Sequence, residues 1–133
     1  MITIEVKTNA RQEMVRITPL VERTVEEAGW RDGLCAIFVP HTTAGITINE
    51  NADPDVARDI MCALDRLVPT ADPDYRHFEG NAAAHIKASL MGFSQTVVVR
   101  GGRLSLGRWQ DIYLCEFDGP RQRLVTLEFA PCS

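Results

Sequence analysis

The order in which the hydrophobic period changes along the chain restricts the fold more than any single motif. Ile2, Ile4 and Val6 alternate with Thr3, Glu5 and Lys7, the period of a half-buried strand, and Val15 and Ile17 repeat it briefly. Leu20, Val21, Thr24, Val25 and Ala28 then fall on one helical face. Two strand patterns follow, Leu34 to Val39 and Ile46 to Ile48. Next come two helical ones, the first carried by Val56, Ile60, Leu64 and Leu67. The remainder is β: Val97 to Val99, Ile112 to Phe117 and Leu124 to Phe129. A doubly wound parallel sheet needs a helix between successive strands, and this order does not supply one. The chain is therefore expected to be α+β, a compact and mostly antiparallel sheet or sandwich with about three helices.

Punctuation supports these limits. Thr18-Pro19 and Asp53-Pro54 read as helix starts, Gly29 as a stop, and Pro69 ends the second helix. From Pro69 to Gly80 there is no period, so this stretch is a loop. Asn81 can cap a third helix of about three turns, with Ala82, Ile86 and Leu90 as its apolar face and Gly92 after it. Gly101-Gly102 and Asp118-Gly119-Pro120 are turns. With 133 residues the chain has room for one domain, residues 1–133, and for a core without covalent staples.

Charge and composition exclude several functions. The net charge of −4 argues against a basic nucleic-acid surface. No apolar run approaches the ~18 residues of a membrane span, and the N-terminus lacks the pattern of a signal peptide. The four cysteines, Cys35, Cys62, Cys115 and Cys132, are widely spaced, and three sit in apolar or periodic segments, as small buried hydrophobes do. No disulfide framework is expected, and a cytoplasmic location follows. The charge is uneven. Residues 50–79 hold eight acids and three arginines, whereas residues 94–133 hold five arginines and four acids.

The chemistry-bearing candidates centre on the three histidines, His41, His77 and His85. None lies within a regular apolar stripe. Three imidazoles with one open position would suit a catalytic zinc ion, while surface or capping histidines are the plain alternative. Thr42 and Thr43, followed by Ala44-Gly45, could hold an oxyanion through hydroxyl and amide donors, or could be a Thr-rich turn. Asn49 and Glu50 end a strand in a polar cluster. Glu50 could orient a metal-bound imidazole or act as a base, and Glu79 could do the same or favour the third helix's N-terminus. Trp109 and Gln110 could stack on and hydrogen-bond a ring, or belong to a core near a bulge. Arg121 could clamp a phosphate, with Arg123 on the same face, although most turn arginines do not. Phosphate-binding glycine loops and a serine nucleophile elbow are absent.

Four ordered segments, Pro40–Glu50, His77–Lys87, Gly107–Gln110 and Glu116–Arg121, resemble the YjbQ-like family, whose members are often labelled secondary thiamine-phosphate synthases. The resemblance spans essentially the whole chain. One departure stands out: Arg108 precedes Trp109 where the family pattern usually has a small Thr. The resemblance implies an α+β fold, a homotrimer, and a metal bound by His41, His77 and His85 near a subunit boundary. The label implies a transferase that joins a pyrimidine diphosphate to a thiazole phosphate with loss of pyrophosphate. Three imidazoles, however, favour zinc over the Mg²⁺ that usually assists such a departure.

The expectation is therefore a divalent-metal enzyme, zinc first, acting on a small phosphorylated compound. Glu50 and Glu79 are its candidate catalytic acids. Thr42, Thr43, Asn49, Gln110 and Arg121 are its candidate substrate contacts. Thiamine phosphate synthesis would be a weak or secondary activity. The alternative is a non-catalytic trimeric metal- or ligand-binding protein.

Overall fold

The structure, a computed structural model, describes residues 1–132. Eight strands and three helices follow one another as β1 (Ile2–Lys7), β2 (Glu13–Arg16), α1 (Thr18–Ala28), β3 (Gly33–Phe38), β4 (Ala44–Glu50), α2 (Pro54–Leu67), α3 (Ala82–Met91), β5 (Ser94–Arg100), β6 (Arg103–Leu104), β7 (Gln110–Glu116) and β8 (Gln122–Pro131). They form two antiparallel sheets, a five-stranded one ordered β1-β8-β3-β5-β6 and a three-stranded one ordered β2-β7-β4. The α+β class and the antiparallel pairing are as the periodicities require.

The strand alternation explains how the layers stack. Val6, Cys35, Ile37, Val97, Val99, Val125 and Leu127 of the larger sheet meet Ala44, Ile46, Ile112 and Leu114 of the smaller one. Val21 and Val25 of α1 join the same core. β7 is buried on both faces, because Tyr113 and Cys115 point away from that core into a second cluster with Leu64 of α2 and Ala84 and Ala88 of α3. That two-sided burial is why Ile112–Cys115 is a continuous apolar run rather than an alternation. The layers are thus sheet, sheet and helices, with the outer face of the five-stranded sheet uncovered by any described element.

Local details depart from the expectations in three places. Thr18 is not the cap of α1; Ile17 occupies that position, and the Thr18 hydroxyl instead accepts the Ile112 amide at 2.8 Å. Asp53 does cap α2, accepting the Asp55 amide at 2.9 Å, and Gly29 ends α1 in the left-handed conformation. The third helix buries the face opposite to the one its large residues mark. Ala83, Ala84, Lys87 and Ala88 are inside, whereas Ile86 and Leu90 are 38% and 61% exposed. The reason lies in β4. A Cβ on Gly45 would stand 2.8 Å from the Gly92 carbonyl oxygen, so α3 approaches the sheet more closely than large side chains permit. Of the cysteines, Cys35 and Cys115 are buried but Cys62 is exposed, since α2 covers the sheet only along its Ile60–Met61–Leu64 edge.

Candidate functional site

The chemistry gathers around the turn between β7 and β8. At its base lies a buried ion pair. Arg123 Nε donates to Glu116 Oε1 at 2.9 Å and Arg123 Nη2 to Glu116 Oε2. The same Nη2 also donates to the Thr43 hydroxyl at 2.9 Å and the Thr43 carbonyl at 3.2 Å. The Thr8 hydroxyl donates to Glu116 Oε1 at 2.7 Å, and the Asp118 amide to Oε2 at 3.0 Å. Burial alone would push the Glu116 carboxyl up. Arg123, Thr8 and the Asp118 amide outweigh it, and the carboxyl lies below its ordinary range. Every charge here is paired, as a buried charge must be. Arg123 is therefore structural rather than a second phosphate ligand beside Arg121, and Thr43, 4% exposed, is committed to it. Of the two threonines only Thr42 is exposed.

His41 lies close enough to this pair to feel both of its charges. Its Nε2 accepts the Leu124 amide at 2.8 Å, which requires that nitrogen to be unprotonated. Burial, and then the Arg123 charge, hold the imidazole below its ordinary pKa. With Nε2 the unprotonated nitrogen, the neutral ring carries its proton on Nδ1, which is a hydrogen-bond donor. An apolar groove of about 320 Å³, lined by Phe38, Val39, Pro40, Phe93 and Thr42, opens beside it.

Arg121 lies in the turn itself, where a cis peptide bond joins Gly119 and Pro120. Its Nε donates to the Asp118 carbonyl at 2.8 Å and its Nη2 to Asp118 Oδ2 at 3.1 Å, so part of its donor set is used within the turn. Asp118 Oδ2 also accepts from Asn81 Nδ2 at 2.9 Å. Asn81 is the residue before α3, but its side chain makes no capping bond. It reaches to Asp118 and so ties the start of α3 to the Arg121 turn.

His85 projects from the first turn of α3 and meets His77 edge-to-face, with ring centroids 5.1 Å apart. Glu79 Oε2 lies 3.7 Å from His77 Nε2. The two imidazoles share an open groove of about 480 Å³ with Asp74, Tyr75, Arg76, Ala82 and Ile86. His41 does not line this groove. Among the described residues no three His, Cys, Asp or Glu side chains are grouped to hold a metal ion. The three histidines expected to converge are thus divided within one chain: two together, and one beside the buried ion pair.

Asn49, Glu50 and Gln110 lie elsewhere. β4 and β7 pair from Ala44 opposite Glu116 to Glu50 opposite Gln110. Six strand residues at ~3.3 Å each separate the ends by roughly 20 Å, so these three occupy the opposite end of the sheet from Thr42 and Arg121. There Gln110 folds back to accept the Gly107 amide at 2.7 Å, and Asn49 Oδ1 accepts the Glu50 amide at 2.7 Å. The Tyr113 hydroxyl, which lies 2.6 Å from Asn51 Oδ1, joins this end. Trp109 is 54% exposed rather than part of the core, and the Arg108 guanidinium stacks over it at 4.7 Å. Arg108 therefore covers one face of the indole.

A match to the family described as UPF0047 protein YjbQ-like covers residues 2–131. The chain belongs to this family. The YjbQ-like relatives include the UPF0047 protein YugU of Bacillus subtilis, 54% identical over 91% of this chain and 92% of that protein. A UPF0047 protein of Methanocaldococcus jannaschii is 52% identical over 90% and 86%. Among solved structures, an uncharacterized YjbQ/UPF0047 protein of Clostridium acetobutylicum superposes with a TM-score of 0.94. It is 53% identical and is covered completely, with 98% of this chain. A conserved hypothetical protein of Thermus thermophilus follows at 0.92, 43% identical over 98% of this chain and 100% of its own.

Three participants at the YjbQ-like site were not assigned from sequence. Lys87 is 2% exposed, with its Nζ on Asp65 at 2.5 Å and on Gln12 Oε1 at 2.7 Å. Asp118 and Asn81 join two segments of the family motif. No periodicity marks them, since each partner lies tens of residues away in the chain.

Proposed function

We propose that this YjbQ-like chain is a metal-dependent enzyme acting on a small phosphorylated compound, assembled as a homotrimer. What supports the reading is the contact between the His77 and His85 imidazoles in one open groove, with Glu79 Oε2 3.7 Å from His77 Nε2. That donor set suits zinc or another borderline divalent ion, and it lacks one imidazole of the expected three. His41 would supply the third from a neighbouring copy through Nε2, exchanging its bond from the Leu124 amide for the ion. A divalent ion there would polarise a phosphoryl oxygen. Arg121 and Thr42 would hold the phosphate through donors that the turn leaves unused, and Glu79 would hold or move a proton beside His77. Asn49, Glu50 and Gln110 would reach the same site only across a subunit boundary, being at the far end of β4 and β7 in their own chain. Thiamine phosphate formation is the candidate transfer reaction.

Metal content of purified protein, compared with a His77→Ala/His85→Ala variant, tests the first step. Stoichiometric zinc in the native protein and none in the variant supports the reading, and equal content ends it. Mixing His41→Ala and His85→Ala chains within one trimer tests the shared site, because some sites then regain a full set of imidazoles. The division of the histidines within one chain favours a second reading, a trimeric ligand-binding protein without turnover. It predicts no thiamine phosphate from the two precursors even in metal-loaded protein.

A further inference from the structure

Beneath the Arg121 turn lies a nearly closed polar cavity of about 10 Å³, bordered among others by Arg11, Gln12, Asn81, Lys87, Phe117 and Asp118. Two unmet hydrogen-bonding requirements converge on it. Asn81 Oδ1 is buried and accepts a hydrogen bond from no described residue. A buried acceptor left in that condition is destabilising. Lys87 Nζ has three N–H donors, and the described residues use two, on Asp65 Oδ1 and Gln12 Oε1.

We propose that this cavity is a binding site for one water molecule, which accepts from Lys87 Nζ and donates to Asn81 Oδ1. The volume is that of about one water. Lys87 and Arg11 exclude a cation, and the acceptor Asn81 Oδ1 excludes an anion. The polar wall gives the water the two to four partners that a buried water normally has.

The water decides which way the Asn81 amide points. With Oδ1 satisfied on the cavity side, Nδ2 is left to donate to Asp118 Oδ2 at 2.9 Å. The opposite orientation would set the amide oxygen against Asp118 Oδ2, two acceptors with no donor between them. Asp118 held in this way anchors Arg121 Nη2. The Asn81 carbonyl accepts the Ala84 and His85 amides at 3.1 and 3.3 Å, so the same residue anchors the first turn of α3. Lys87 thus positions Asn81 through the water, and Asn81 positions both the arginine turn and the helix that carries His85.

The test is a crystal structure of the native protein at high resolution, together with a Lys87→Met variant. One ordered water at ~2.7–3.2 Å from both Asn81 Oδ1 and Lys87 Nζ is expected. In the variant, loss of that water together with loss of the Asn81–Asp118 bond is expected. A dry cavity, a direct bond from Lys87 to Asn81, or an unchanged Asn81–Asp118–Arg121 chain in the variant would overturn the proposal. Should the variant not fold, the native density still decides.

Discussion

Arg123 and Glu116 face one another across the β7–β8 turn in a two-point ion pair whose side chains are 2% and 0% exposed. Glu116 ends a strand of the three-stranded sheet and Arg123 begins one of the five-stranded sheet, so the pair clamps the two layers at one end. Thr8 from the end of β1 and Thr43 from the start of β4 complete the clamp. The candidate ligands His41, Thr42 and Arg121 all stand on it. Its cost in desolvation is offset only because every donor and acceptor is matched.

Breaking this pair on one side leaves an uncompensated buried charge. Glu116→Gln and Arg123→Met are each expected to destabilise the chain by about 3–5 kcal/mol, and the double variant by less than the sum of the two. Urea unfolding measures all three. The pH dependence has a definite sign. The folded-state carboxyl lies below its ordinary value, so its contribution is present above the unfolded carboxyl's pKa and is lost as pH falls through the folded one. Native protein should therefore lose stability on acidification below about pH 4.3, the usual Glu value. Glu116→Gln should flatten that limb. Equal acid limbs in the two would remove Glu116 from the account.

Gly45 is the point where helix and sheet come closest. A Cβ there meets the Gly92 carbonyl oxygen at 2.8 Å and the Met91 Cβ at 3.0 Å, both rigidly held. Gly45→Ala must move α3 outward and should cost about 1–3 kcal/mol, as overpacking does. Because α3 carries His85, the variant should also bind divalent metal more weakly than native protein when both are folded. Calorimetric unfolding and a zinc titration read the two effects separately. A melting temperature equal to native would contradict the packing argument.

The thiols divide by depth. Burial pushes Cys35 up to about 11 and Cys115 up to about 12, whereas Cys62 and Cys132 are exposed. At neutral pH a thiol reagent should label two cysteines promptly and the other two only on unfolding. Mass spectrometry of the labelled peptides identifies which. Prompt labelling of Cys115 would mean that the α2–α3 layer opens readily.

Much of this architecture was legible because strand period depends on which face is buried, and the alternation at Ile2–Val6 is unambiguous, whereas the continuous apolar run Leu34–Val39 marks a strand but not that Leu34 and Phe38 face outward. The third helix was not. Ile86 and Leu90 mark an apolar stripe, but the packing is decided by Gly45, some forty residues earlier, which brings the Ala88–Gly92 end of the helix against the sheet. Lys87 reads as a surface lysine until α2 and the β1–β2 connection bring Asp65 and Gln12 to it. At the site, three histidines were expected together; His77 and His85 are in contact and His41 lies apart from them. Asn49, Glu50 and Gln110 have equally suitable chemistry, yet strand register carries them to the other end. Register depends on the whole β4–β7 pairing and not on any one motif.

The uncovered face of the five-stranded sheet bears on assembly. Leu34, Phe38, Val98 and Leu124 are 48%, 47%, 40% and 37% exposed and point outward from β3, β5 and β8. The register sets Leu34 beside both Val98 and Ala130, and Phe38 beside Thr126, so the apolar groups form a connected surface rather than scattered residues. Such a surface on one chain normally marks an interface. If copies of the chain meet there, charge at its centre should separate them. Phe38→Glu and Leu34→Glu are expected to sediment as monomers while native protein sediments as a trimer. Both variants should keep native secondary structure, since neither side chain belongs to the core. The groove beside His41 also includes Phe38, so the shared-site reading requires that the monomeric variants lose metal as well. Native protein that sediments as a monomer, or a monomeric variant with full metal content, would leave the three imidazoles without a common site.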